Sequence, residues 1–587
     1  MKVGTFFIQV RILCITIFSL LFLSKGWSNN SIVLVKGSKV QHAIVVPVRA
    51  TATERNAAAQ LAKHLSVYGN FSIISESQTT TLNRIFIGNT STFGKKVGNI
   101  NRLVGRDGIV IKFIGNDIFI HGERGRAVLY ASYEFLEKFV RINFWTPTDF
   151  DYPKYTNGVQ IQSQDIVYTP PFYYRGGYSN NANTNKEFAA ILKENGDFQP
   201  TDSDWGTVNK ILGWCHTFNT ILPYATYGKL HPEWFLDPKT GQPLKVFDPN
   251  LNGLKTQPYF YNENMKREFL KNTLSWIAAN PKYDIISISQ NDNTLFTKPK
   301  DNSLNASDLL LQFLNDIAAE VVKKYPGKKI ETLAYRATEP PPNQVRSAKN
   351  LIVRIAPITA NMGYAYDSPI NGKPFKRLQG WLKGGGELFY WGYNTNFKYP
   401  ALPYPSFGRL NTDLRILASN GFTGVFMLDN LNTVGYFEDM KAWVLAKLMW
   451  NPKLDQEVLI KQFFRGYFKE ASEPLYQYYK LVEKTYLSTP RVLAAYQTDY
   501  SFLNQGSFLN KGQQLFSQAA NLASEATIRN RVEEERLSFE FLNAYLGKRN
   551  KRQVDMLIKK YDGKVLNKSE RSTLNSFVKD LNSKVLR

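Results

Sequence analysis

The chain has 587 residues, of which 43% are hydrophobic and 14% aromatic, with a formal charge of +24 and only two cysteines and five histidines. Such a length exceeds what one core can organise and implies two to four domains, while the apolar and aromatic content excludes a disordered chain. The scarcity of cysteine and histidine excludes a disulfide scaffold and argues against a structural metal site, and no cofactor is expected.

At the N-terminus, residues 1–28 place Lys2 and Arg11 ahead of or within an apolar run that ends near Leu23, followed by the small residues Gly26 and Ser28. This pattern predicts a secretory signal peptide, with an uncleaved anchor as the alternative. The expected destination is the periplasm or the medium of a bacterium. No later stretch is apolar for the length of a span, so no stable membrane span is expected after signal removal. Cys14 lies inside this segment and leaves Cys215 as the single mature cysteine, hence no internal disulfide. Loss of Lys2, Arg11 and Lys25 would leave a charge of +21. From Gly547 onward there are 12 basic against 4 acidic residues. They are spaced among apolar residues as on a solvated helix, with no nucleic-acid motif, so a nucleic-acid partner is not expected.

Residues 29–168 alternate short apolar runs with turns. Ile109, Ile111 and Phe113 alternate, Gly115-Asn116-Asp117 supplies a hairpin turn, and Ile118 and Ile120 resume. After Gly125, Val128, Leu129, Tyr133, Leu136 and Val140 recur at helical spacing. An α+β sandwich domain is expected. Over residues 169–452, strand-like runs at 172–177, 211–218, 284–289, 330–335, 351–356, 387–391 and 424–428 alternate with helical segments. A weak strand near "QPYFY" (257–261) would make eight. This order predicts an α/β fold whose centre is a (β/α)8 TIM barrel. Residues 453–587 read as amphipathic helices, a C-terminal α-helical domain. The oligomeric state is open.

In a barrel, working side chains follow the carboxyl ends of the strands. "IISISQNDN" (285–293) carries Asn291 and Asp292 there. Arg175 follows the first strand, and His216 and Asn219 the second; His231 lies in the loop beyond it. Arg336 and Glu339 follow "TLAY", Trp391, Tyr393 and Asn394 belong to "YWGYNTNF", and Asp429 with Asn430 follows "FML". Amides, charges and aromatic rings converging from several strands are the lining expected of a sugar cleft, with rings on pyranose faces and polar groups on hydroxyls. Glycosidic hydrolysis needs two carboxyl groups, or one where a substrate acetamido group attacks instead. Asp292, Asp429 and Glu339 are the catalytic candidates; Arg175, His216, Asn219, His231, Asn291, Arg336, Trp391, Tyr393 and Asn394 are the candidates for holding substrate.

The hairpin, "HGERGRAVLYASYEFLE" and "INFWTP" resemble the accessory domain that precedes the barrel in glycoside hydrolase family 20 and the α-glucuronidases. "WCHTFNTILPYATYGKLHPEWF", "ISISQNDN", "LLQFLNDIAAEVVKKYPGKKIETLAYRATEPPP", "YWGYNTNF" and "VLAKLMWNP" resemble the domain of unknown function 4838 family, which includes glycoside hydrolase family 163. That resemblance implies an endo-β-N-acetylglucosaminidase-like activity on N-glycans. Family members commonly carry Glu where this chain has Met427 and Asp where it has Gly392, and a cysteine cluster after "QND" where it has "NTLFTKP". An exported glycoside hydrolase acting on glycan is therefore expected, and the alternative is a glycan-binding protein that keeps the cleft without cleaving.

Overall fold

The structure is a computed structural model that describes residues 31–237, 240–242, 256–298, 302–429, 435–488, 490–562 and 578–581. The expected signal segment and Asn430 lie outside these residues.

The first sheet has six strands: β1 (His42–Val46), β2 (Ile73–Ser75), β3 (Asn83–Ile87), β4 (Ile109–Ile114), β5 (Asp117–Gly122) and β6 (Ile166–Tyr168), in the order β6-β4-β5-β3-β1-β2. The Gly115 turn, at φ +60°, closes the antiparallel β4–β5 hairpin that the alternation predicted. Period-two alternation divides the side chains. Ile85, Ile87, Ile109, Ile111, Ile118 and Ile120 enter the large core with α1 (Ala52–Leu65) and α2 (Gly125–Lys138), while Val45, Phe86, Val110 and Phe119 form a smaller cluster on the other face. Thr51 caps α1 reciprocally with Glu54.

The second sheet curls and is wholly parallel. Its strands are β7 (Tyr174–Gly177), β8 (Ile211–Leu212), β9 (Ile285–Ser287), β10 (Lys329–Ala334), β11 (Leu351–Ile355), β12 (Glu387–Tyr393) and β13 (Gly424–Leu428), in the order β7-β13-β12-β11-β10-β9-β8. Between them run α3 (Glu263–Ala279), α4 (Ala306–Lys324), α5 (Gly372–Lys383) and α6 (Leu410–Ser419).

Two sequence expectations need correction. The strand expected over 211–218 stops at Leu212, because Gly213, Trp214 and His216 take positive φ values of 82°, 61° and 54° and turn the chain. No strand forms among the described residues near "QPYFY"; β8 pairs directly with β9. The two edge strands are instead linked through residues 195–197. The Asn195 amide donates to the Arg175 carbonyl at 2.9 Å, the Asn209 amide to the Asn195 carbonyl at 2.7 Å, and the Ile211 amide to the Asp197 carboxyl at 2.6 Å. This segment was invisible to pattern reading because "NGD" looks like a turn and pairs partly through side chains.

After α7 (Glu438–Trp450) come α8 (Gln456–Phe468), α9 (Ser472–Leu487), α10 (Gly506–Leu522), α11 (Ala526–Tyr545) and α12 (Lys551–Asp562). No strand follows Leu428 among the described residues, and none of their helices is long and apolar enough to cross a membrane.

Candidate active site

Register decides which side chains share the concave face of the parallel sheet. Tyr174, Ile211, Ile285, Ile352, Phe389 and Phe426 form one inner cluster, which places every second residue of each strand inward. The inward row contains two charges. Glu331 on β10 and Arg354 on β11 are fully buried, with Nε to Oε1 at 2.9 Å. The Arg354 guanidinium lies 4.4 Å from the Trp214 ring centroid and 5.6 Å from that of Trp391. Asp197 accepts from the Tyr174 hydroxyl at 2.6 Å. Burial raises the carboxyl pKa of both Glu331 and Asp197, although Arg354 and the hydrogen bonds oppose it. Sequence reading passed over this group, although "IETLAY" and "LIVRIA" each embed one charge in an apolar strand, which is the signal that could have found it.

Above this charged floor the strand ends bring an aromatic shelf together. Trp214 and Trp391 have centroids 5.2 Å apart, and both contact Phe426. Tyr393 continues from Trp391 toward Phe397, and Phe397 meets Tyr496 at 5.2 Å. The Trp391 indole N–H is buried without a hydrogen-bond partner. A polar group stands at the ends of β9 and β10. The Asp292 carboxyl is 3.4 Å from Nε of Arg336, which donates to the Tyr335 hydroxyl at 2.9 Å. The His216 ring sits 5.8 Å from that of Tyr335, and its Nδ1–H donates to the Gln290 carbonyl at 2.7 Å, leaving Nε2 as the other ring nitrogen. Burial pushes the Tyr335 hydroxyl up to about 12 and the Cys215 thiol, the next residue after Trp214, up to about 12. Trp214, His216 and Arg336 all hold positive φ, at 61°, 54° and 51°. Left-handed backbone at bulky residues costs about 1–3 kcal/mol each and concentrates where a site dictates geometry.

Asp292, Arg336 and His216 therefore gather around Tyr335, and Trp391 and Tyr393 form the shelf with Trp214, which the turn through His216 ties to the polar group. The other expected residues are elsewhere, for identifiable reasons. Arg175 lies in the outward row of β7 and ion-pairs with Asp107 at 2.8 Å beneath Tyr130 and Trp450. Asn291 donates to the Thr256 carbonyl and accepts from the Asn219 amide, whose own side chain accepts from the Tyr224 amide. These two amides staple loops. Gln290 likewise donates to the Leu333 carbonyl and Thr338 hydroxyl. Asn394 is buried between Arg409 and the Leu428 carbonyl. His231 stacks on Trp234 at 4.0 Å and contacts Glu233 at 3.2 Å, a loop staple on an exposed surface.

Of the carboxyl candidates, Glu339 is buried, bonded to Arg377 at 2.8 Å and Thr359 at 2.5 Å, with its Oε2 lacking a hydrogen-bond partner. Asp429 is in the outward row with Met427, 3.3 Å from the buried Lys441 on α7, which also pairs with Glu438 at 2.8 Å. Met427 and Asp429, two residues apart, share a direction, and it is away from the concave face. A Cβ on Gly392 would come within 2.6 Å of the Met427 sulfur, so the two departures from the family pattern fit one another sterically. The described residues contain no group of three or more His, Cys, Asp or Glu side chains placed to hold a metal ion.

Residues 144–480 match the family described as Domain of unknown function (DUF4838). No curated protein matches the chain. Among solved structures, BtGH115A, a family GH115 4-O-methyl-α-glucuronidase with specificity for decorated arabinogalactans, is similar with a TM-score of 0.54 at 11% identity, over 94% of this chain and 78% of that one. CpGH84D is similar at a TM-score of 0.46 and 12% identity, over 95% and 92% of the two chains. A GH138 enzyme targeting pectin rhamnogalacturonan II is similar at a TM-score of 0.44 and 11% identity, over 92% and 91%. At such identities the first of these likenesses speaks to fold alone.

Proposed function

The chain belongs to the DUF4838 family, and from that premise we propose that it is an exported glycoside hydrolase acting on glycan at the concave mouth of a (β/α)8 barrel. In this reading residues 195–197 take the place of the second barrel strand, a signal peptide occupies 1–28, an accessory domain 29–168, the barrel 169–452 and a helical domain 453–587. One observation carries the proposal: a carboxylate and guanidinium pair, Asp292 with Arg336, and an aromatic shelf, Trp214 with Trp391, both stand at the carboxyl ends of strands of one parallel sheet, with Trp214, His216 and Arg336 on backbone held at positive φ.

The shelf of Trp391 and Tyr393 receives the apolar face of a pyranose. Asp292 is the carboxylate at the reacting centre. Beside a guanidinium it suits the charge-bearing role: attack on the oxocarbenium-like centre, or polarisation of a substrate acetamido group that attacks in its place. Glu339, paired with Arg377 through Oε1 but with Oε2 uncommitted, is the reserve for the second carboxyl role; Asp429 is held by Lys441 and takes no part. The test is incubation with N-glycans, N-acetylhexosaminides and glucuronides. Wild type should release product from at least one class, and Asp292→Asn should lose at least about a hundredfold in rate with its fold intact, the scale of losing one charge-stabilising group at the reacting centre. Near-normal turnover by Asp292→Asn would remove it from the mechanism.

A second reading is a glycan-binding protein without hydrolysis. It is favoured by the engagement of Glu339 and Asp429 in ion pairs, which leaves Asp292 as the carboxylate at the mouth among the described residues. Binding of a glycan with no product after prolonged incubation would select it.

A further inference from the structure

We propose a second saccharide-binding site, separate from the mouth, in a cavity of about 520 Å3 between the loops that follow β11 and β12 and the helices α8 and α9. This volume falls within the range of small-molecule clefts and would hold a mono- to trisaccharide.

The lining is of the kind that neutral sugars require. Tyr364, half-buried, packs against Tyr486 with centroids 5.6 Å apart and offers a ring to an apolar sugar face. Carboxylates from Glu457 and Glu483 alternate with the Lys480 ammonium, which lies 3.5 Å and 3.0 Å from them. Thr412 and Arg415, both exposed, also line the cavity, and Arg415 is anchored through Nε to the Pro452 carbonyl at 2.9 Å. Hydroxyl groups donate to carboxylates and accept from ammonium and guanidinium, so a wall alternating both serves a polyol, where a single-sign wall would select an ion. Glycine at 408 keeps the wall open, since a Cβ there would approach Glu483 Oε1 to 3.1 Å.

The site is built for holding and not for cleavage, because its carboxylates are tied down. Glu483 accepts from the Tyr479 hydroxyl at 2.7 Å as well as from Lys480, and Glu457 accepts from the Tyr476 hydroxyl. Arg409, which lines the cavity's inner end, donates Nε to the Met362 carbonyl at 2.8 Å and Nη2 to the Tyr393 carbonyl at 2.9 Å. The cavity wall and the strand bearing the aromatic shelf are thus joined through one guanidinium.

The test is titration calorimetry on the full chain with maltotriose, triacetylchitotriose and mannotriose. To silence the mouth, the background is the Asp292→Asn, Trp391→Ala double variant. At least one trisaccharide should bind to that background with one site per chain. Adding Tyr364→Ala should weaken binding about tenfold, the loss of one ring contact of roughly 1.4 kcal/mol. Tyr364→Phe, which keeps the ring, should bind as before, and Glu457→Gln with Glu483→Gln provides a second loss that spares the core. Failure of all three probes to bind the mouth-silenced protein, or binding indifferent to both cavity changes, would overturn the proposal. Because the background lacks the mouth residues, failure of the hydrolase reading would leave this outcome unaffected.

Discussion

Replacing Arg354 or Glu331 tests whether the charged floor beneath the shelf is a mutually dependent pair. At 2.9 Å and an effective dielectric of about 20, the attraction is on the order of 6 kcal/mol, most of it offset by taking both ions out of water. Removing one partner strands the other. Glu331→Leu leaves a guanidinium that cannot shed its proton and should cost roughly 3–5 kcal/mol where the wild-type carboxyl is ionised, and less once falling pH protonates that carboxyl. Arg354→Leu leaves a carboxyl whose pKa burial already raises; it can take up a proton, so the loss should be smaller at low pH and grow as the pH rises. The double Leu variant removes both desolvation costs and should recover to within about 2 kcal/mol of wild type. Urea unfolding followed by tryptophan fluorescence is suited to this, because Trp214 and Trp391 lie over the guanidinium and report its surroundings. A double variant as unstable as the sum of the singles would refute the reasoning, since the two charges would then act independently.

Gly392→Ala should destabilise the chain by about 1–3 kcal/mol through overpacking on the Met427 sulfur, and Met427→Ala in the same molecule should relieve part of it; both are read by thermal unfolding. Arg175→Met should cost roughly 3–5 kcal/mol by reducing the ion pairing of buried Asp107, while any measured KM stays unchanged, because Arg175 faces away from the mouth. Burial pushes Glu194 up to about 8 from its ordinary 4.5, so its contribution to stability is present below the unfolded pKa and declines as the pH rises through about 8. Glu194→Gln should therefore flatten the fall in Tm between about pH 5 and 8; an unchanged slope would exclude it as the source. Trp391→Ala should raise KM for a cleaved glycan about tenfold, the value of one stacked ring, in steady-state assays.

The sequence by itself determined most of the order of strands and helices, because period-two and helical alternation are local signals, but not the 195–197 segment or the missing strand at 257–261. It also showed that polar and aromatic residues gather at strand ends, and it carried the family resemblance. It could not determine which face of a strand a residue takes. The outward parity of β7 and β13 sends Arg175 to Asp107 and Asp429 to Lys441, although both sit in the expected positions along the chain. Nor could it tell a polar side chain that meets solvent from one spent on backbone. Asn219, Gln290 and Asn291 bond backbone groups of neighbouring segments, and Asn394 accepts from the Arg409 guanidinium, needs set by where those segments cross in space. Conversely, Glu331 and Arg354 are far apart in the chain and become partners only through the pairing of β10 with β11. Parity, backbone demand and cross-strand pairing are properties of the assembled sheet, and these decided which side chains reached the mouth.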